Sequence, residues 1–408
     1  MKVLHINATY GIGSTGVITK ELAEVCHKNG IQSYIAYPVG HGLMNSNPNV
    51  YEIGSKLDRK IHALLSRIAG KQAYFSRCAT KKLLRYLDSI NPDIVHLHNL
   101  HCNYINLNML LKHLSKRDVA TVITFHDCWL YTGGCFHYTS VGCEKWKEMC
   151  GNCIKQYDDF PAYLFDRSAQ ILSDRVRLIS SIKHLALIGV SHWVESQLVQ
   201  SRLKDCGHVG YIYNGYDFDI FTPKNSNKRE ELSLTDKFVI LAPASKWLMP
   251  INKSVLEYFS NNLPANAVIL LFGYCGESHS LPRNVRVYGF TKNRDEMAEL
   301  YSMADVMVNC SREDTLSSLN VEAQACGTPV VTFEATGMKE TVDNICGFAV
   351  QTGNPELLFN KMMFIYNAGK EAFSKACRKF VVEKFEKNSN YNEYIKLYRN
   401  LLNERETK

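Results

Sequence analysis

The 408-residue chain has no apolar run that approaches the length of a membrane span, no low-complexity tract and no internal repeat. Its opening, MKVLHINATY, is interrupted by His5 and Asn7, so the apolar centre of a secretory signal does not form. These absences argue against a membrane-embedded, fibrous or exported protein. They predict a cytoplasmic chain, peripheral at most on the inner face of the membrane. In that compartment most of the 14 cysteines stay reduced. No nucleic-acid-binding motif accompanies the basic charge, which argues against nucleic acid as a partner.

The composition is globular, 46% hydrophobic and 21% charged, and the length exceeds one ordinary core. A net charge of +7 suits anionic partners such as nucleotides, pyrophosphates or an acidic lipid surface. Short apolar runs alternate with amphipathic stretches through the first half: KVLHI, SYIAY, DIVHLH, ATVITF and LALIGV. This pattern predicts a parallel sheet covered on both faces. It pauses at YIYNGYDFDIFTPK, residues 211–224, and restarts with FVILAPA, AVILLFG, VRVYGF, DVMVNC and TPVVTF. The fold class is therefore α/β, two doubly wound Rossmann-like domains expected to face each other across a cleft. We place them at 1–210, with a cysteine-rich insertion at 128–155, and at 211–387. The tail, 388–408, carries Tyr391, Tyr394 and Tyr398 at helical spacing and is expected to pack back on the first domain.

Gly11, Gly13 and Gly16 have G-x-G-x-x-G spacing after the first strand. An NAD site wants the glycines close behind the strand and an acid at the end of the next one. Here Asn7 to Tyr10 intervene, and SYIAY ends in Pro38, Val39 and Gly40. What remains is a glycine turn, with Gly13 and Ser14 opening a helix and offering N–H groups to an anion, or a turn with no ligand.

The most specific stretch is SREDTLSSLNVEAQACGTPVV. A strand ends at Cys310, a loop runs from Asp314 through Leu316 and Ser317 to Ser318, and a helix starts near Leu319. N–H groups at that helix start suit a pyrophosphate. Glu322, one turn in, can accept from a ribose diol, and Asp314 from sugar hydroxyls. A capping loop with solvated carboxylates is the structural alternative.

The acid-x7-acid loop followed by EAQACGTPVV resembles the donor site of family 4 retaining glycosyltransferases of the GT-B fold. DIVHLHNLH, TFHDCW and YIYNG match landmarks of that family, so the resemblance spans nearly the whole chain. It is nearest to the colanic-acid-type exopolysaccharide branch, in which a C…KW…CGNC segment follows HDCW. The resemblance implies a nucleotide diphosphate sugar as donor, a glycan or lipid-pyrophosphate-linked acceptor, retention, and no catalytic metal. It assigns Asp314 (or the adjacent Glu313), Glu322 and His126 to the reacting sugar and ribose. Lys246 and Lys253 fall to the pyrophosphate, and Phe290 to the nucleotide base. Leu316, Ser317, Ser318 and Leu319 form the donor loop. The alternatives are a nucleotide-sugar epimerase of the same architecture and a non-catalytic carbohydrate- or partner-binding protein.

Three further features stand apart. Cys135, Cys143, Cys150 and Cys153 could furnish four thiolates for a structural zinc, although a redox pair or reduced thiols fit the spacing too. Residues 55–87 hold nine Lys or Arg and one Asp among apolar residues at helical spacing. That suits an anionic membrane surface or simply a solvated face. His96 and His98 share a strand face and read as cleft-lining or structural.

Overall fold

The computed structural model describes residues 1–42, 49–159, 161–274 and 281–407. It divides into two units, Met1–Asn214 with Asn388–Lys408, and Gly215–Lys387.

The first unit runs β1 (Lys2–Ile6), α1 (Gly13–Lys28), β2 (Gln32–Pro38), β3 (Val50–Ile53), α2 (Lys56–Ala69), α3 (Arg77–Ile90), β4 (Ile94–Leu97), α4 (Leu107–Leu114), β5 (Ala120–Phe125), α5 (Ser168–Ile179), β6 (Leu185–Gly189), α6 (His192–Gln200) and β7 (His208–Tyr211). Its seven strands are parallel in the order β3-β2-β1-β4-β5-β6-β7. The central strands β4, β5 and β6 are buried along their whole length, which is why they read as continuous apolar runs. The edges β3 and β7 are short and part-exposed, and carry no such run.

The second unit continues with α7 (Lys228–Glu231), β8 (Phe238–Pro243), α8 (Ala244–Trp247), α9 (Lys253–Asn262), β9 (Ala267–Phe272), β10 (Val285–Tyr288), α10 (Arg294–Met303), β11 (Val306–Asn309), α11 (Ser318–Ala325), β12 (Val330–Phe333), β13 (Gly347–Val350), α12 (Pro355–Ala368) and α13 (Glu371–Phe385). Six parallel strands follow the order β10-β9-β8-β11-β12-β13. Both sheets reverse their strand order once, at β1/β4 and at β8/β11. In doubly wound folds ligands gather outside the carboxyl ends at that reversal.

The last helix, α14 (Lys387–Glu406), lays Tyr391, Tyr394 and Tyr398 into the core of the first unit. Tyr398 Oη meets His96 Nδ1 at 2.6 Å, and Tyr394 Oη meets Thr124 Oγ1 at 2.9 Å.

Residues 55–87 form two helices rather than one surface. The chain breaks at Gly70, in the left-handed region, and Ala73 and Ser76 also have positive φ. α3 buries Leu83 and Leu87. α2 does the opposite: it buries His62 and Ser66 and exposes Leu57, Ile61, Leu64, Leu65 and Ile68. Among the described residues no helix is long and apolar enough to cross a membrane.

Candidate functional site

In the second unit, polar side chains collect beyond β8 and β11, which are neighbours in the sheet. β11 ends at Asn309, which is fully buried. Its amide donates to Ser317 Oγ at 3.1 Å and to Asn320 Oδ1 at 2.9 Å, and its Oδ1 accepts from the Ser311 N–H at 3.1 Å. One asparagine thus ties the strand, the loop and α11 together. Ser317 is the N-cap residue of α11, but its side chain makes no cap bond, and the first turn holds no acid. N–H groups at such a helix start are the usual setting for an anion.

Glu322 lies one turn further, half-buried, and accepts from Tyr301 Oη at 3.0 Å. Burial, and then Glu322, hold the Tyr301 phenol well above its ordinary range, so it stays a donor. Asp314 is fixed through its backbone: its N–H donates to Thr336 Oγ1 at 2.9 Å and its carbonyl accepts from the Gly337 N–H at 3.1 Å. Its carboxylate accepts from the Leu316 N–H at 3.3 Å.

Lys246 lies in the single turn of α8, half-buried and close enough to Cys310 to act on its thiol. Buried Asn252 donates to the carbonyls of Lys246 and Cys310, at 3.0 Å each, and accepts from Arg312 Nε at 2.9 Å. That clip holds the Lys246 turn against the start of the acidic loop. Lys253 opens α9 and is exposed, 3.5 Å from Glu257. Phe290 is 73% exposed, so a core role is excluded. Its ring lies over the turn at Gly273, where a Cβ would sit 3.7 Å away.

In the first unit the glycine turn follows β1. Gly13 has φ +65° and opens α1, and Ser14 is exposed beside it. Gly16 cannot carry a side chain, since a Cβ there would meet Thr9 Oγ1 at 2.7 Å. The turn is held by buried Asn7. Its amide donates to the carbonyls of Thr9 and Thr15 and to Thr19 Oγ1, and its Oδ1 accepts from the N–H groups of Ala8 and Asn99.

His126 follows β5. Its Nε2 lies 3.2 Å from His98 Nδ1, and His98 Nε2 lies 3.3 Å from His5 Nδ1. Burial lowers His126 to about 4 and His5 to about 3, so this row of imidazoles is neutral at pH 7.

Two family models match this chain, Glycosyltransferase Family 4 over residues 15–220 and Glycosyl transferases group 1 over residues 275–381. The chain belongs to Glycosyltransferase Family 4. This glycosyltransferase is 22% identical over 372 residues to WcaC of Escherichia coli (strain K12), described as a colanic acid biosynthesis glycosyl transferase. The match covers 86% of this chain and 87% of that one. Among solved structures it resembles Anabaena Alr3699/HepE in complex with UDP, with a TM-score of 0.66 at 15% identity, covering 98% of this chain and all of that one. A Listeria monocytogenes protein described as a UDP-N-acetylglucosamine 2-epimerase also matches, with a TM-score of 0.56 at 11% identity over 97% of this chain and 94% of that one. The fold is GT-B.

Within the glycosyltransferase, Asp314, Leu316, Ser317, Ser318, Leu319, Glu322, Lys246 and Lys253 all lie on the elements following β8 and β11. Asn7, Asn252, Asn309 and Tyr301 escape a motif reading. For Asn7 and Asn309 the available signal is an asparagine at the carboxyl end of an apolar run, where the side chain takes over backbone groups that the sheet no longer pairs.

Cys135, Cys143, Cys150 and Cys153 are all partly accessible. Electrostatically they are neighbours. Elsewhere, among the described residues, the ligand atoms of His5, His96 and His98 converge within 4.8 Å. Burial pushes the Cys135 thiol up to about 12 and Cys150 up to about 11. The segment has an aromatic core of buried Trp129, Tyr131, Tyr138 and Trp146, with the Arg175 guanidinium 3.7 Å from the Trp129 ring. The histidine group is tied into the fold. His96 uses Nδ1 on Tyr398 and Nε2 on Thr124 at 2.7 Å, so both ring nitrogens are engaged in structure.

Proposed function

We propose that this glycosyltransferase moves a sugar, with retention, from a nucleotide diphosphate sugar to a glycan or lipid-pyrophosphate-linked acceptor during surface polysaccharide assembly. The observation that carries the reading is Glu322 one turn inside α11, held by Tyr301, beneath a helix start without a side-chain cap. The pyrophosphate would rest on the N–H groups of Ser318 and Leu319, opposite Lys246 and Lys253. Charge that develops on the departing diphosphate then meets fixed donors and two ammonium groups, and the chemistry runs without a metal. Glu322 would accept from the ribose diol and Asp314 from the sugar hydroxyls. In the first unit His126 is a neutral imidazole, and the Gly13–Ser14 turn offers N–H groups to an anion. HepE was solved with UDP, which supports a diphosphate nucleotide as the bound group.

The acceptor side includes a membrane surface. α2 exposes five large apolar side chains and carries exposed Lys56, Lys60 and Arg67. The exposed residues Tyr163, Leu164 and Phe165 adjoin its end, because the Tyr163 N–H donates to the Arg67 carbonyl at 2.9 Å. Apolar side chains ringed by cations fit an anionic bilayer.

The direct test is thermal shift of the purified chain against UDP, GDP and ADP sugars, followed by product analysis. One nucleotide class should raise Tm, and product should form only with acceptor present. No shift with any donor would overturn the reading, and conversion of the donor alone would identify an epimerase. Sedimentation with anionic and neutral vesicles tests the surface. Leu64→Glu should abolish pelleting with anionic vesicles and leave the donor shift intact.

A further inference from the structure

The loop after β4 carries a constellation that the transferase reading does not use. His101 donates from Nε2 to Asp127 Oδ2 at 3.1 Å, and its Nδ1 lies 3.0 Å from Cys102 Sγ. Asp127 is itself held by the Trp129 N–H, which donates to its other oxygen at 2.8 Å. A thiol, an imidazole and a carboxylate thus stand in line, the base oriented by a third group. The His101 ring is fixed further by Phe136 and Trp129, which it meets edge-on at 4.7 and 5.9 Å.

Two more observations separate Cys102 from the other cysteines. First, the Arg59 guanidinium is close enough to interact electrostatically with the Cys102 sulfur, so two cationic groups flank it. Second, it is the cysteine with a positive φ among the described residues, +80°, followed by Asn103 at +59°, and it is partly accessible, as are Cys135, Cys143, Cys150, Cys153 and Cys206. By contrast Cys26, Cys128, Cys310, Cys326, Cys346 and Cys377 are buried. Burial works against charge on His101, but the Asp127 bond and the Cys102 sulfur outweigh it and raise the imidazole to about 10, so it is a cation at pH 7.

We propose that Cys102, paired with His101 and Asp127, is a reactive thiol and a modification site for hydroperoxides and other soft electrophiles. With a hydroperoxide the sulfur attacks the nearer oxygen. The S–O bond forms as the O–O bond breaks, and the leaving oxygen takes the proton from His101 Nδ1. Sulfur is oxidised by two electrons to the sulfenic acid and the peroxide is reduced to water or an alcohol. The modified loop immediately precedes α4 and lies beside the β5 end that carries His126, so it is placed to report oxidation to that end of the sheet.

The inference does not depend on the donor site, and its test needs no substrate. The full-length protein is pulsed at pH 7 with substoichiometric iodoacetamide and read by peptide mass spectrometry. Cys78, which is exposed, is the internal reference. An ordinary thiol is only a few per cent thiolate at pH 7, so an activated one gains about tenfold in rate after its weaker nucleophilicity is counted. Cys102 should label about tenfold faster than Cys78 despite being less accessible, and His101→Gln should bring it level with or below Cys78. Labelling of Cys102 no faster than Cys78 in the native protein would overturn the proposal. So would unchanged fast labelling in both His101→Gln and Asp127→Asn variants that retain the native melting profile. Hydrogen peroxide followed by dimedone should tag Cys102, and the absence of a tag there would refute the peroxide step.

Discussion

The two units make the same turn twice and use it differently. Beyond β1 and at the end of β11, a buried asparagine leaves the sheet, accepts the next loop N–H groups and donates into the following helix. Both helices then begin without a side-chain cap. In the second unit the loop brings carboxylates, with Asp314 on the loop and Glu322 on the helix. In the first it brings glycines and no acid. The scaffold fixes where N–H groups point, and the loop sequence decides whether hydroxyl-accepting groups accompany them. A donor with both a diphosphate and hydroxyl-rich sugars needs the second kind of turn, while close approach needs the first.

Removing the carboxylate should have the largest effect. Glu322→Ala is expected to lower kcat/KM for transfer by about a thousandfold, about 4 kcal/mol of transition-state stabilisation. Glu322→Gln separates chemistry from support. It can still accept from buried Tyr301, so it should lose activity as severely, yet avoid the roughly 1–2 kcal/mol that an orphaned phenol costs the alanine variant. Steady-state kinetics beside thermal denaturation decides. Activity retained in either variant would remove Glu322 from the donor site and leave Asp314 as the chemical difference between the two turns.

Next come the asparagines. Asn309→Ala and Asn7→Ala each strand several buried partners, and each should cost about 2–3 kcal/mol. Hydrogen exchange followed by peptide should localise the loss, to the β11–α11 region for Asn309 and to the β1–α1 region for Asn7. Equal losses confirm one device used twice. A loss confined to one of them would make the resemblance of the turns incidental.

Much of this architecture is legible in the sequence. Strands such as β5, β6 and β9 are buried nearly throughout, and burial on both faces writes an apolar run. The acidic loop is legible because its spacing is set by a helix turn. The asparagine locks are not, because an asparagine beside a glycine motif looks like an interruption until its hydrogen bonds are seen. α2 defeats periodicity altogether. Its apolar stripe is as regular as that of α3, but a stripe records amphipathicity and not which side meets the protein. His62 can be buried because its Nδ1 pairs with Ser76 Oγ at 2.8 Å, a contact between residues in separate elements. The aromatic core of the cysteine-rich segment is hidden for a related reason: its members are spread among the cysteines, and only tertiary contact makes them a core.

The glycine turn should respond less than the asparagines. Gly13 has φ +65° and open space where a side chain would go, so Gly13→Val pays only for its backbone, about 1–2 kcal/mol. If the turn approaches the donor or acceptor, kcat/KM falls by about tenfold more than the stability loss explains. Gly13→Ala, with the same strain and less bulk, should fall in between. Equal activity in all three proteins would reduce the turn to a connector.

Lys253 should give the smallest effect and the finest test of the contrast. It is 77% exposed and its contact with Glu257 is a surface pair, so Lys253→Ala should shift stability by less than about 0.5 kcal/mol. An exposed ammonium that meets a diphosphate only when one is bound adds long-range attraction rather than structure. The expected result is therefore a donor KM raised about threefold to tenfold, a nearly unchanged kcat, and a difference that shrinks as salt is added. Lys246 is half-buried and its turn is clipped by Asn252, so Lys246→Ala should lower kcat as well. If the two variants behaved alike, the pyrophosphate would be bound by net charge alone. If Lys246→Ala alone lowers kcat, the second unit's turn is organised around the leaving group.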